Sequence, residues 1–398
     1  MNFVFISPQF PECYRHFCTR LRENGVNVLA IGDGSYDELH PDLKASLTEY
    51  YRVDNMEDYD QMFRAVAWFS FKYGKIDWLE SNNEYWLEQD AWLRKQFCIE
   101  TGLQPKDLHK IKHKSAMKEY YKKAGLPCAR YHLVDNPENC LAFAHTVGYP
   151  MVAKPDNGVG AAGNMKLLSD EDLMDLFKLN LDTQYILEEY VPGEIWAFDG
   201  ITNSAGEIVF CATHCTPGSI MEIVQGHKSL GYYVFDEVPA DMMDAGKRVL
   251  KSFEVHSRSF HLEFFRLTEE KEGLGKPGDI VGLEVNMRPA GGYTPDMINY
   301  AQSADYYQLW ADMVCYDKAV HSYDGPHSFA IYLGRWDDIH YAHSMEDVFR
   351  RYDGRIRDGG RLQGILDGSM GNDFFIITAP DAESREEVIS YVFEEVKD

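Results

Sequence analysis

The segment at residues 281–292 reads VGLEVNMRPAGG and carries the strongest chemical signal in the sequence. Alternate side chains of a strand share a face, so Glu284, Asn286 and Arg288 project one way and Val285 and Met287 the other, into a core. Pro289 then ends the strand. A carboxylate, an amide oxygen and a guanidinium in one row suit a divalent cation and the phosphate it bridges. Taken alone, the row is equally an exposed face with a structural ion pair. Glu263 shifts that balance. It lies in HLEFFRL, an alternating strand separated from the first by the loop 268–279, so the two strands are expected to be antiparallel neighbours with Glu263 across from Glu284 or Asn286. Carboxylates brought together repel unless a cation lies between them. Oxygen ligands select a hard cation, and no His/Cys set suggests zinc.

Three further segments could handle a nucleotide. Lys154 ends an apolar strand and precedes DNGVGAAG, where Gly158, Gly160 and Gly163 let backbone N–H groups approach an anion. The lysine precedes the glycines, so this is not the GxxxxGK[ST] phosphate loop, and glycine-rich hairpins without a ligand are common. In LEEYVPGE two acids end a strand before Pro192-Gly193 and Glu194. This is either an exposed turn or a hinge, at which backbone groups of Glu189 and Val191 meet an adenine edge while Glu194 holds ribose hydroxyls. LHKIKHKSAMKEYYKKAGLP is lysine-rich in an otherwise acidic chain. Ser115 is expected to cap a helix running to Ala124, with Gly125 and Pro127 ending it.

These residues need elements to position them. Apolar runs at 2–6, 26–31 and 76–79 alternate with amphipathic stretches at 11–24, 57–73 and 84–97, the pattern of parallel βαβ units. The turn after the first strand, SPQFPECY, has no glycine and so is not a dinucleotide-binding turn. Strands dominate from about 185 to 283, and the tail adds strands at 329–333 and 374–378 and a helix from Ser384. The expected division is 1–108, 109–190, 191–320 and 321–398, the last a small α/β subdomain packed on the preceding lobe.

The chain has 398 residues, 45% hydrophobic and 26% charged, the balance of a globular protein. Its 39 Lys+Arg against 64 Asp+Glu give −25, which repels phosphate backbones and anionic lipid. Nucleic acid and membrane are therefore not expected as partners. No run is long and apolar enough to span a bilayer, and MNFVFISPQF does not read as a signal peptide. The eight cysteines show no CxxC spacing and are expected to be free thiols in a reducing cytoplasm.

In order along the chain, a lysine before a helix ending in AGLP, then VAKP with a glycine loop, EEYVPGE, HLEFF and LEVNMRP resemble an ATP-grasp enzyme. The resemblance covers roughly residues 1–300. It implies an N-terminal parallel α/β pre-ATP-grasp domain, then a two-lobed ATP-grasp fold with antiparallel sheets, a small lid lobe and a catalytic lobe, which the C-terminal subdomain read above follows. It also implies roles. Lys114 and Lys154 resemble the lysines that hold ATP phosphates, and Gly158–Gly163 the loop closing over them. Glu188, Glu189 and Val191 resemble the adenine hinge, and Glu194 the ribose ligand. Glu263, Glu284 and Asn286 resemble ligands of Mg2+ or Mn2+. Arg288 resembles the arginine that stabilises a transferred phosphoryl group. Many relatives carry serine where this chain has Ala161-Ala162.

Within that superfamily the chain resembles carboxylate–amine ligases, including L-amino acid ligases, which implies small-molecule carboxylate and amine substrates and a homodimer. A phosphoryl transferase or a biotin carboxylase-like subunit is the alternative, and a non-catalytic nucleotide-binding module a third reading. Glu84, in SNNEYW, and Lys228 are the candidates for substrate contact, Glu84 for an amine. His214, His227 and His261 read first as structural.

Overall fold

A computed structural model describes residues 1–158, 163–179, 181–217, 229–362, 364, 367 and 370–396. Gly160, Ala161, Ala162, His227 and Lys228 lie outside the described residues.

The N-terminal strands β1 (Asn2–Ile6), β2 (Asn27–Gly32), β3 (Glu49–Arg52) and β4 (Trp78–Glu80) form a parallel sheet ordered β3-β2-β1-β4. The run FVFI is apolar at every position because β1 is central and covered on both faces. Its neighbours β2 and β4 follow it in register, Phe3 pairing with both Val28 and Trp78. The strand order changes direction between β1 and β4, so the loops after them share a crevice at the strands' carboxyl ends. Tyr14 Oη donates to the Asn82 carbonyl at 2.6 Å and joins those two loops. The helix expected over 11–24 is a 3-10 turn, Glu12–Tyr14, followed by the α-helix Arg15–Glu23. The one expected over 84–97 starts later, at Leu87–Gln96, leaving Glu84 in the loop.

A second, antiparallel sheet holds β5 (Tyr131–Leu133), β6 (Met151–Pro155), β7 (Met165–Leu167) and β8 (Tyr185–Glu189), in the order β5-β8-β6-β7. The helices Pro137–Val147 and Asp170–Leu176 cover it. Each begins on a side-chain cap. Asn136 accepts from the Asn139 amide and Ser169 from the Asp172 amide, satisfying donors that a helix start leaves free.

The third sheet has eight antiparallel strands: β9 (Gly193–Thr202), β10 (Ile208–Thr216), β11 (Leu230–Val234), β12 (Arg258–Leu267), β13 (Ile280–Asn286), β14 (Phe329–Arg335), β15 (Ile356–Arg361) and β16 (Asp373–Ala379). Their order is β13-β12-β9-β10-β11-β14-β16-β15, so strands from beyond residue 320 continue the same sheet through the β11–β14 pair. One face, with Ile201, Ala212 and Tyr232, packs through Tyr306 and Trp310 onto Phe3 and Phe5 of the N-terminal sheet. The other face packs against the helices Ala240–Phe253, Lys114–Lys123 and Ala382–Val392.

Candidate active site

The β12–β13 pairing decides where the acidic residues go. Glu263 lies directly opposite Glu284, and His261 opposite Asn286. Directly opposed Cβ atoms of an antiparallel pair are about 5 Å apart. Val285 and Met287 are fully buried on the other face, as alternation requires. A bulge next to Glu263 makes Leu283 an extra residue, and both Leu283 and Glu284 line one cavity. That cavity, about 260 Å³, lies between the small sheet and the β9–β12–β13 edge of the large one.

Nine residues singled out in the sequence line it: Lys114, Lys154, Glu188, Glu189, Val191, Glu263, Glu284, Asn286 and Arg288. Each lysine faces a carboxylate. Lys114 Nζ is 3.1 Å from Glu284 Oε1 and donates to the Gly158 carbonyl at 3.2 Å. Lys154 Nζ is 2.7 Å from Glu188 Oε2, while Lys118 Nζ reaches Glu188 Oε1 at 2.6 Å. Burial works to raise the Glu188 carboxyl, but Lys118 and Lys154 outweigh it and hold it at about 2. Burial also disfavours charge on Lys154, yet the carboxylates around it, Glu188 foremost, keep its pKa above the ordinary value.

Three residues not anticipated from the sequence build this arrangement. Asp156 ties the helix Lys114–Lys123 to the end of β6. Its carboxylate accepts from the Ser115 amide at 2.7 Å and from Ser115 Oγ at 3.0 Å, and its carbonyl accepts from the Lys114 amide. The helix is therefore capped from outside, and Ser115, expected as its cap, sits inside its first turn. Tyr121 Oη donates to the backbone carbonyls of Glu284 and Glu263, at 3.0 and 3.3 Å, so one hydroxyl spans both strands at the carboxylate pair. The third is Lys118, one helical turn from Lys114. That spacing is the signal that could have found it.

Glu194 is oriented differently from the expected ribose ligand, and the side chain of Glu189, expected to contribute its backbone, is engaged elsewhere. The Glu189 side chain turns away to Arg130, which donates to it from the backbone amide at 2.8 Å, from Nε at 3.0 Å and from Nη2 at 2.6 Å. The Glu189 amide in turn donates to the Arg130 carbonyl at 3.0 Å. Glu194 is not brought to the cavity side. Gly193 and Ile195 line the cavity, so the alternation of β9 turns Glu194 to the opposite face, where it accepts from Trp196 Nε1 at 3.2 Å. Gly163 has φ +79°, and a Cβ there would come within 2.9 Å of Tyr185 Oη.

At the far end, Arg288 Nε lies 3.7 Å from Glu84 Oε2, and Lys112 Nζ lies 3.5 Å from Glu84 Oε1. The crevice of the N-terminal sheet thus opens onto Arg288. Behind Glu263, His261 and His214 both donate from Nδ1 to the buried Asp199, at 2.8 and 2.6 Å. Burial disfavours the imidazolium, but Asp199 prevails and raises His261 to about 9. Burial would raise Glu263, but the His261 contact at 3.5 Å keeps it below the ordinary carboxyl range. Two carboxylates and an amide oxygen on one wall form a hard-oxygen set that fits Mg2+, and buried lysines beside them fit the phosphates such an ion bridges.

The chain is similar to several known proteins. Residues 113–187 match the family described as "Carbamoyl-phosphate synthase L chain, ATP binding domain". An L-arginine-specific L-amino acid ligase of Bacillus subtilis is 24% identical over 315 residues, which is 75% of this chain and 71% of that protein. The L-amino acid ligase structure from Bacillus licheniformis aligns with a TM-score of 0.71 at 14% identity, covering 100% of this chain and 98% of that one. The biotin carboxylase domain of the Hydrogenobacter thermophilus 2-oxoglutarate carboxylase, solved with MgADP, ADP and bicarbonate, aligns with a TM-score of 0.66 at 15% identity, covering 99% and 90%. The chain is similar to ATP-grasp enzymes in its fold and, over residues 113–187, in its sequence. The proteins it is similar to include L-amino acid ligases.

Proposed function

We propose that the protein is an ATP-dependent carboxylate–amine ligase that forms an amide or peptide bond through an acyl-phosphate and releases ADP and phosphate. The observation that carries this reading is the register pair Glu263–Glu284, with Asn286 on the same wall and Lys114, Lys154 and Arg288 converging on one cavity.

The cavity divides the work by position. Glu189, Tyr190 and Val191 line it, and backbone groups of this stretch meet the adenine edge. Lys114 and Lys154 hold the phosphates. Glu263, Glu284 and Asn286 hold Mg2+, which neutralises charge on the phosphates when bound. A substrate carboxylate oxygen attacks the γ-phosphorus, the bond to the β-phosphate oxygen breaks, and ADP leaves. The amine then attacks the acyl carbon, loses a proton and expels phosphate. Arg288 sits where it can bind the anionic oxygens formed in both steps. Glu84, 3.7 Å from Arg288, borders the place where the acyl group and amine meet.

Stimulation of ADP release by a paired carboxylate and amine, with an amide of matching mass, tests the reading. A stable phosphorylated product or bicarbonate-dependent turnover would replace it with a phosphoryl-transferase or carboxylase-type activity. Turnover unaffected by Glu284→Ala would remove the metal assignment. A homodimer, like the dimeric biotin carboxylase domain, is the proposed assembly, and sedimentation velocity checks it. All eight cysteines are free, which supports a reducing, cytoplasmic setting. Among the described residues, no helix is long and apolar enough to cross a membrane.

A further inference from the structure

Lys118 is fully buried, does not line the cavity, and has the Glu188 carboxylate as its ion-pair partner. Glu188 in turn stands between two ammonium groups, with Oε1 2.6 Å from Lys118 and Oε2 2.7 Å from Lys154, and all three residues are buried. A carboxylate shared in this way cannot neutralise both cations. With Lys118 absent, its whole negative charge would fall on Lys154. In an interior of low effective dielectric such charges are felt over several ångströms, and solvent screening is weak.

We infer that Lys118 is a positioning residue for nucleotide binding. It holds and offsets the Glu188 carboxylate, so that Lys154 keeps an uncompensated positive charge for phosphate. The inference rests on the reading of the cavity as a nucleotide site and goes beyond it by giving a role to a side chain that touches no substrate. It also makes Glu188 a charge regulator of the lysine row, not a ligand of the base.

The test is ADP affinity in the presence of Mg2+, measured by calorimetry on the full chain, with the melting temperature recorded alongside. Lys118→Met should weaken ADP about tenfold, and the double variant Lys118→Met/Glu188→Gln should return to within about threefold of the parent, because the two missing charges cancel. Glu188→Gln alone should bind ADP several-fold more tightly, and this arm stands even if Lys118→Met does not fold. Adenosine, which carries no phosphate, should respond to none of these changes. A lower melting temperature with unchanged ADP affinity in Lys118→Met would reduce Lys118 to a structural ion pair and overturn the inference. So would a double variant that stays weak, or a Glu188→Gln variant that binds ADP no better than the parent. Failure of the parent protein to bind ADP at all would instead overturn the nucleotide-site reading.

Discussion

Glu263 and Glu284 face one another directly across the antiparallel β12–β13 pair, with Tyr121 donating one hydroxyl to the backbone carbonyls of both. Opposed like charges cost stability in an ordinary sheet. Here they are retained at the wall of a cavity that also holds the cationic side chains of Lys114, Lys154 and Arg288.

Replacing either carboxylate by its amide keeps the shape and removes one charge. Glu284→Gln and Glu263→Gln should each lower ADP release by about 100-fold or more, the scale at which single electrostatic groups act on charge that develops in a reaction. Raising the Mg2+ concentration should recover part of that loss. An ADP-release assay across a metal titration checks both points.

The Tyr121 contact has a steric partner. A Cβ at Gly282 would come within 2.3 Å of the Tyr121 ring. Gly282→Ala should therefore destabilise the fold by about 1–3 kcal/mol through overpacking. Tyr121→Phe loses only the hydroxyl and should cost about 1 kcal/mol. Urea denaturation of the two variants ranks them.

Asp156→Ala removes the outside cap of the Lys114–Lys123 helix. The expected cost is about 1 kcal/mol of stability, together with a higher KM for ATP at nearly unchanged kcat, because Lys114 loses the anchor that sets it beside Lys154. Steady-state kinetics separates that split from general misfolding.

The Glu188 carboxyl titrates at about 2 in the fold, below its ordinary value near 4.5, because Lys118 and Lys154 outweigh the burial that opposes them. A depressed carboxyl contributes stability that is fully present above the unfolded pKa and is lost as pH falls through the folded one. The wild-type protein should lose this contribution, on the order of 3 kcal/mol, between pH 4.5 and 2. Glu188→Gln should be less stable near pH 7, where both lysines lose their partner, and should show a shallower fall across that acid range. Equilibrium unfolding at a series of pH values measures both slopes.

How much of this was legible in the sequence depended on distance along the chain. Alternation placed Glu284, Asn286 and Arg288 on one face because three residues of one strand obey a local rule. It reached Glu263 because the connecting loop is short enough to make neighbours of its two strands. Glu194 was expected at the cavity from the hinge reading of LEEYVPGE and from the resemblance, whereas alternation along β9, with Gly193 and Ile195 on the cavity side, turns it away. Ser115 looked like a cap because its type suits one, while the actual cap, Asp156, lies 41 residues further on and arrives only through the tertiary fold. Lys118 was hidden among other lysines of a helix face, and the carboxylate that singles it out comes from β8. The union of the C-terminal strands with the large sheet is also non-local. It rests on the pairing of Leu230–Val234 with Ala330–Gly334, across about a hundred residues.

That last pairing limits how the molecule can be dissected. Cutting the chain between the helix Tyr306–Tyr316 and β14 would strip the partner from one side of β11 and leave its backbone donors and acceptors bare. A shortened fragment would offer a sticky rim to other copies of itself, so the nucleotide-handling half is best studied with its tail attached.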